Sequence, residues 1–155
     1  MMMRHPLMMA LAAALVFCGA PSLAGEPPSL RLMAITEINA DANGHFFATA
    51  AINGHDIDVL VDTGATAVAL SYEDAAEAGL SPGSLTFDIP VSTANGVTQA
   101  ARVKLDRVAI DGLEVEDVDA MVLPEGALRG TLLGMSFLGR LSGFKVEDGV
   151  LRLKD

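Results

Sequence analysis

The chain has 155 residues, with 20 acidic against 10 basic side chains and a net charge of −10 at neutral pH. Such a length favours one domain, and such acidity argues against nucleic-acid binding through a basic face. The single cysteine, Cys18, lies in an N-terminal apolar stretch, so the rest of the chain can form no disulfide and no thiolate site.

From the N-terminus, Arg4 and His5 precede an apolar stretch, Leu7 to Ala20, that is too short to span a bilayer comfortably. Ser22-Leu23-Ala24 then puts small residues at the positions a signal peptidase reads. Residues 1–24 are expected to be a secretory signal peptide, cut after Ala24, with the mature protein exported to the periplasm. The alternative is an uncleaved segment that anchors the chain, and only then is a membrane contact expected. A lipoprotein would want a small residue where Phe17 precedes Cys18. Removing Arg4 with the signal leaves the remainder slightly more acidic, which reads as a solvated surface. Residues 25–31, including Glu26-Pro27-Pro28-Ser29, read as a linker to a domain over 32–155.

Turn signals punctuate that domain. Asn43-Gly44, Asn53-Gly54, Asn95-Gly96, Asp111-Gly112 and Asp148-Gly149 suit tight hairpins whose central residues need positive φ. Between them the expected strands are Leu32–Ile38, His45–Ile52, Ile57–Val61, Ala67–Leu70, Thr86–Ala94, Val97–Ile110, Leu113–Leu123, Gly143–Glu147 and Val150–Leu153. Many short strands with regular turns indicate an all-β barrel or sandwich. Val97–Ile110 is long for one strand and is expected to bend or bulge. Two short helices interrupt the pattern. Ser71 can cap one that runs through Ala78, with Asp74 completing a capping-box-like pair and Gly79 stopping it. The second is expected over Met135–Leu141.

Asp62-Thr63-Gly64 carries the chemistry. It follows the apolar run Val59-Leu60-Val61, and an acid at the end of a buried strand is costly unless the site uses its charge. Gly64 lets the backbone turn tightly there. A second apolar-apolar-Gly element, Leu132-Leu133-Gly134, lies far downstream. His45 and His55 follow Asn-Gly turns without acidic partners at ligand spacing, so no metal site is expected. Ser71 and Ser136 lack a nucleophile elbow, which disfavours serine hydrolysis. No phosphate-binding glycine loop occurs, and no cofactor is expected. Met135 and Phe137 read as core, and Asp56 and Asp58 as solvent-facing.

Val59 to Thr66, a Gly-tipped hairpin at Asn95-Gly96, and Leu132-Leu133-Gly134 before a short helix occur in an order that resembles the retropepsin-like aspartic proteases. Leu132-Leu133-Gly134-Met135-Ser136-Phe137-Leu138 is similar to their bacterial, exported, single-domain branch. The resemblance covers His45 to Leu153. It implies an all-β half-barrel with two short helices that works as a homodimer, because one chain carries one Asp-Thr-Gly. It further implies that Asp62 is catalytic and that Thr63 bonds across the dimer. Gly64, Ala65 and Thr66 would complete the active-site loop. Val91 to Ala100 would be the flap, with Thr93, Ala94, Asn95, Gly96 and Val97 around its tip. Leu132, Leu133 and Gly134 would floor the cleft. The implied activity is hydrolysis of peptide bonds in extended polypeptide segments in the cell envelope. The alternative is a non-catalytic peptide-binding or assembly module of the same fold.

Overall fold

Three hairpins are closed by two-residue turns in which both residues take positive φ: Asn53-Gly54 (52° and 86°), Asp111-Gly112 (44° and 88°) and Asp148-Gly149 (52° and 75°). This left-handed geometry matches the twist of the flanking strands and suits Asn, Asp and Gly. The structure, a computed structural model, describes residues 34–93 and 96–155. The expected signal peptide, the linker, Leu32, and Ala94 and Asn95 of the expected flap lie outside the described residues. Asn43-Gly44 behaves differently from these three pairs, since only Gly44 has positive φ. There the Asp41 carboxylate closes a wider turn by accepting the backbone N–H groups of Asn43 and His45, both at 2.8 Å. The His45 N–H, foremost, holds the Asp41 carboxyl below its ordinary pKa.

The strands are β1 (Ile35–Asn39), β2 (Phe47–Ile52), β3 (His55–Val61), β4 (Val68–Leu70), β5 (Ile89–Thr93), β6 (Gly96–Ile110), β7 (Leu113–Val122), β8 (Thr131–Leu133), β9 (Gly143–Glu147) and β10 (Val150–Lys154). Two short helices are α1 (Tyr72–Glu77) and α2 (Met135–Leu138), and a single 3-10 turn covers Pro82–Ser84. The fold is mostly β, as expected. One sheet has the order β2-β3-β8-β4-β7-β6-β5, and a further pairing of β2 with β6 curls it into a barrel-like form. Ile52, Leu70, Leu105, Ile110, Leu113, Leu133 and Phe137 are among the fully buried side chains of its core. A second sheet, β1-β10-β9, gathers the two ends of the described domain. No helix among the described residues is long and apolar enough to cross a membrane.

The long strand expected at Val97–Ile110 serves three partners, β2 at its end among them. Its first part pairs β5 through Ala100, and the rest pairs β7. Along β6 the buried positions step from Leu105 to Val108, and along β7 from Val115 to Val118, so alternation breaks on both strands. The pair Asp106/Asp117 drops out of an otherwise constant register. Asp117 there takes φ of 52°. On β7 this left-handed residue stands where the inward face resets, and on β6 the reset falls at Asp106 and Arg107. Without it, half of each strand would turn its apolar side chains to water. Neighbours satisfy the freed backbone groups. Asn53 Oδ1 accepts from the Asp106 and Arg107 N–H groups at 2.9 and 3.3 Å. Arg140 Nη1, just past α2, donates to the Glu116 carbonyl at 2.9 Å.

Several boundaries differ from expectation. Helix α2 stops at Leu138 rather than Leu141, and α1 ends at Glu77 with Ala78 as its cap residue. Ser71 Oγ caps α1 by accepting the Asp74 N–H at 3.1 Å. The Asp74 carboxylate does not complete the expected box. It accepts a 2.7 Å hydrogen bond from Thr131 Oγ1, a fully buried hydroxyl that otherwise pays its desolvation cost alone. Strand β5 begins at Ile89, after the 3-10 turn, rather than at Thr86.

Asp117 is solvent-exposed, so substitution there tests backbone conformation with little change in burial. Asp117→Val should destabilise by roughly 2 kcal/mol, because a β-branched residue is strained at positive φ. Asp117→Gly should be close to neutral. Urea denaturation followed by circular dichroism measures both; equal midpoints for the two variants would show that the phase reset carries no strain.

Candidate active site

Strand β3 carries Val59 and Val61 into the sheet beside β8, in parallel register with Thr131 and Leu133. Immediately after Val61 the Asp62 N–H donates to the Leu133 carbonyl at 3.1 Å. The chain then turns. The Gly64 N–H donates to Asp62 Oδ1 at 2.8 Å, and the Ala65 N–H donates to the Asp62 carbonyl at 3.2 Å. The carboxylate is thus held by its own loop and stays half-buried, while Thr63 and Gly64 are exposed. A Cβ on Gly64 would lie 3.1 Å from Asp62 Oδ1, which crowds the acceptor.

The loop is held from beneath by the segment that follows β8. The Met135 N–H donates to the Ala65 carbonyl at 2.8 Å, and the Val68 N–H donates to Ser136 Oγ at 2.9 Å. Gly134 makes this approach possible. A Cβ there would sit 2.2 Å from the Ala67 carbonyl oxygen and 2.7 Å from that of Ala65.

A cleft of about 470 Å³ opens above Asp62. Gly64, Ala65 and Thr66 line it beside the carboxylate, and Val91, Ser92 and Thr93 of β5 stand over it. Ala67, Ala69, Met121, Leu123 and Leu132 also line it, as do Ala127 and Leu128 of the loop after β7. Asp62 is the only ionisable side chain in this lining. The cleft therefore offers one acid in an apolar trough, bounded on one side by strand β5 of the β5–β6 hairpin. No cluster of three or more metal-ligating side chains occurs among the described residues.

The structure brings together Asp62, Gly64, Ala65, Thr66, Thr93 and Leu132. Others from the sequence reading stand apart from the cleft lining. Thr63 is exposed and is not among the residues that line the cleft. Leu133 is fully buried in the core, and Gly134 supports the loop from below. Gly96 pairs with Thr93 and so belongs to β6, while Val97 pairs with Ser92 and is 73% exposed. Ala94 and Asn95 are outside the described residues. Sequence reasoning missed Ala67, Ala69, Met121, Leu123, Ala127 and Leu128. The alternation of small residues at 65, 67 and 69 was the available signal, since small side chains leave room above a sheet.

The matching family model, described as gag-polyprotein putative aspartyl protease, covers residues 48–140. A retropepsin-like aspartic protease from Rickettsia conorii is 35% identical, with a TM-score of 0.72 over 79% of this chain and 91% of that one. This chain belongs to the retropepsin-like aspartic protease family. The EIAV protease, solved with the inhibitor HBY-793, shares 17% identity and a TM-score of 0.57 over 71% of this chain and all of its own, which shows the common fold. An uncharacterised protein in the cobV 5′ region of a Sinorhizobium species is 47% identical over 113 residues, 73% of this chain and 48% of its own length. The chain spans about half the length of the curated relatives it matches. In this retropepsin-like domain, family membership and geometry meet at the loop that follows β3.

Gly134→Ala should lower stability by roughly 3 kcal/mol, because two carbonyl oxygens must move to admit a methyl group. Gly130→Ala is the control: its Cβ meets nothing within 4 Å, and its φ is not in the left-handed range. It should change stability by less than about 0.5 kcal/mol. Thermal and urea unfolding of the pair decide; equal losses would show that the close approach at Gly134 is not what holds the loop.

Proposed function

We propose that the chain is an aspartic endopeptidase that hydrolyses peptide bonds in extended polypeptide segments, working as a symmetric homodimer in the cell envelope. The observation that carries this reading is Asp62: a half-buried carboxylate, fixed by the Gly64 N–H, at the base of an otherwise uncharged cleft. Each chain supplies one such loop. A two-fold axis through the exposed Thr63-Gly64 side of it would bring two copies of Asp62 together. Two carboxylates at close range do not both ionise readily, so they hold one proton between them.

In that site the ionised carboxylate takes a proton from a bound water as its oxygen adds to the scissile carbonyl carbon. The protonated carboxyl donates to the carbonyl oxygen. The tetrahedral intermediate then collapses. The C–N bond breaks as the leaving nitrogen takes the proton that the first carboxyl drew from water, and a hydroxyl of the intermediate returns a proton to the second, which restores the pair. Any apparent pKa values belong to the pair, not to one Asp62. An extended substrate would lie under Val91 to Thr93, adding its backbone as a strand, with apolar side chains directed at Ala67, Ala69, Met121 and Leu132. Export rests on the sequence of residues 1–24, which also suits an uncleaved membrane anchor.

The terminal sheet supplies a surface for the second copy. In the order β1-β10-β9 both outer strands are edges, and β9 carries two exposed large apolar side chains against one, Ile35, on β1. Phe144 and Val146 on β9 lie opposite the buried Leu153 and Leu151, yet are 39% and 56% exposed. An edge strand with two uncovered apolar side chains invites pairing with another edge.

Asp62→Asn should abolish cleavage of an unfolded protein substrate while leaving circular dichroism and melting unchanged, because the amide can neither share the proton nor act as base. Wild-type cleavage rates in that variant would overturn the protease reading in favour of a binding module. Val146→Lys should leave the chain folded, since the residue is more than half exposed, but raise the dimer dissociation constant by tenfold or more. Sedimentation velocity across a dilution series reads this. Specific activity of the wild type should fall on dilution below that constant.

A further inference from the structure

We infer that Ser136 is a positioning residue for the active-site loop, an inference that rests on the reading of Asp62 as the catalytic acid. The loop from Asp62 to Val68 is tied to the segment 133–136 at three points. At its start the Asp62 N–H reaches the Leu133 carbonyl; in its middle the Ala65 carbonyl receives the Met135 N–H; at its exit the Val68 N–H donates to Ser136 Oγ at 2.9 Å. The first two ties are backbone to backbone and persist whatever side chains stand there. The third depends on one hydroxyl.

Its location makes it count. Val68 is fully buried, so losing the hydroxyl leaves its N–H without that partner in a place where water is scarce. Val68 also opens β4, whose Val68 to Leu70 pair in register with Ala120 to Val122 of β7. Ser136 therefore fixes where the loop ends and the sheet resumes. Between its two anchored ends the loop has few ways to move, and the Gly64 N–H stays aimed at Asp62 Oδ1. Release of the exit end would let Gly64 and Asp62 shift together. A small displacement matters here, since a reacting group out of place by about 1 Å can cost a hundredfold in rate. In a symmetric dimer the slack enters twice, once from each chain. The role differs from that of a nucleophile: Ser136 is not among the residues that line the cleft, and its hydroxyl is engaged by the Val68 N–H.

The test compares wild type, Ser136→Ala and Ser136→Thr, each at a concentration where sedimentation shows dimer. Ser136→Ala should lower kcat by about tenfold, the effect expected for one lost oriented hydrogen bond, with KM changed less than about twofold. Ser136→Thr, which keeps the hydroxyl, should restore kcat. Amide hydrogen exchange supplies a readout independent of chemistry. In Ser136→Ala, exchange at Val68 and Gly64 should accelerate by tenfold or more, while Leu105 and Val118 in the barrel keep their protection. Wild-type kcat in Ser136→Ala, a loss carried by KM, a Thr variant no better than Ala, or unchanged exchange at Gly64 would each overturn the inference. Failure of the protease reading looks different: the wild type would not cut, or Asp62→Asn would. The exchange measurement then still decides whether Ser136 positions the loop.

Discussion

A carboxylate at the end of a buried strand must be solvated, hydrogen-bonded or neutralised, or it costs several kcal/mol. The rest of this structure follows from how that demand is met at Asp62. The side chain is left half-buried, within reach of water, and its Oδ1 accepts the Gly64 N–H at 2.8 Å. That solution needs a backbone turn tight enough to bring residue 64 back to residue 62. Such a turn is not self-supporting beside a cleft. Support comes from sequence about 70 residues away, where Leu133, Met135 and Ser136 meet the loop from below. Gly134 is the condition for this meeting, because any side chain would occupy the space of the Ala65 and Ala67 carbonyls. Chemistry, turn and support are one unit.

The barrel exists to hold that unit still. Strands β3 and β8 run parallel and side by side, which sets the loop and its support at the same end of the sheet. The β6–β7 hairpin braces the other flank through β4. Here a break in alternation on both strands, at Asp106 and Arg107 on β6 and at Asp117 on β7, lets one hairpin present apolar faces correctly at both ends. Asn53 and Arg140 reach this point from the β2–β3 turn and from just past α2, so it is fixed by side chains from elements that also carry the Asp62 loop and its support.

Much of this was legible in the sequence because local chemistry dictates it. Asn53-Gly54, Asp111-Gly112 and Asp148-Gly149 fall at two-residue turns, since few other residues tolerate that backbone. A bend in Val97–Ile110 was expected from its length alone; the Asp106-Arg107 and Glu116-Asp117 doublets, where alternation breaks, were the unused signal for its position. Asp62 and Leu132-Leu133-Gly134 could be singled out because a charge and a glycine beside apolar runs need a reason. What stayed hidden depends on tertiary contact. Strand β8 is three residues long, too short for any periodicity to show. Asp74 looked like a reciprocal cap, yet buried Thr131 competes for it and wins, because an orphaned buried hydroxyl costs more than a solvated helix end. Met121, Leu123 and Leu128 face the cleft only because β4 and β7 pair in parallel. No pattern around those residues distinguishes a cleft wall from core.

Association of two such chains has an electrostatic obstacle, since each carries a net charge of −10. Where the charges sit matters more than their sum. On the outer face of the terminal sheet, Arg152 bonds Glu37 on one side at 2.7 Å and approaches Glu147 on the other at 3.5 Å. Lys145 meets Glu147 at 2.9 Å. These exposed pairs add little to stability taken singly. Their effect is local: Glu147, the acid on β9, already has cationic partners within the chain. Long-range repulsion between the remaining acids is screened over about 8 Å at physiological salt. Contact at β9 would therefore be governed by Phe144 and Val146 rather than by net charge. A surface that is acidic overall but neutralised where the sheet is open discourages indiscriminate association. What it leaves open at the edges of that sheet is apolar: Phe144 and Val146 on β9, and Ile35 on β1.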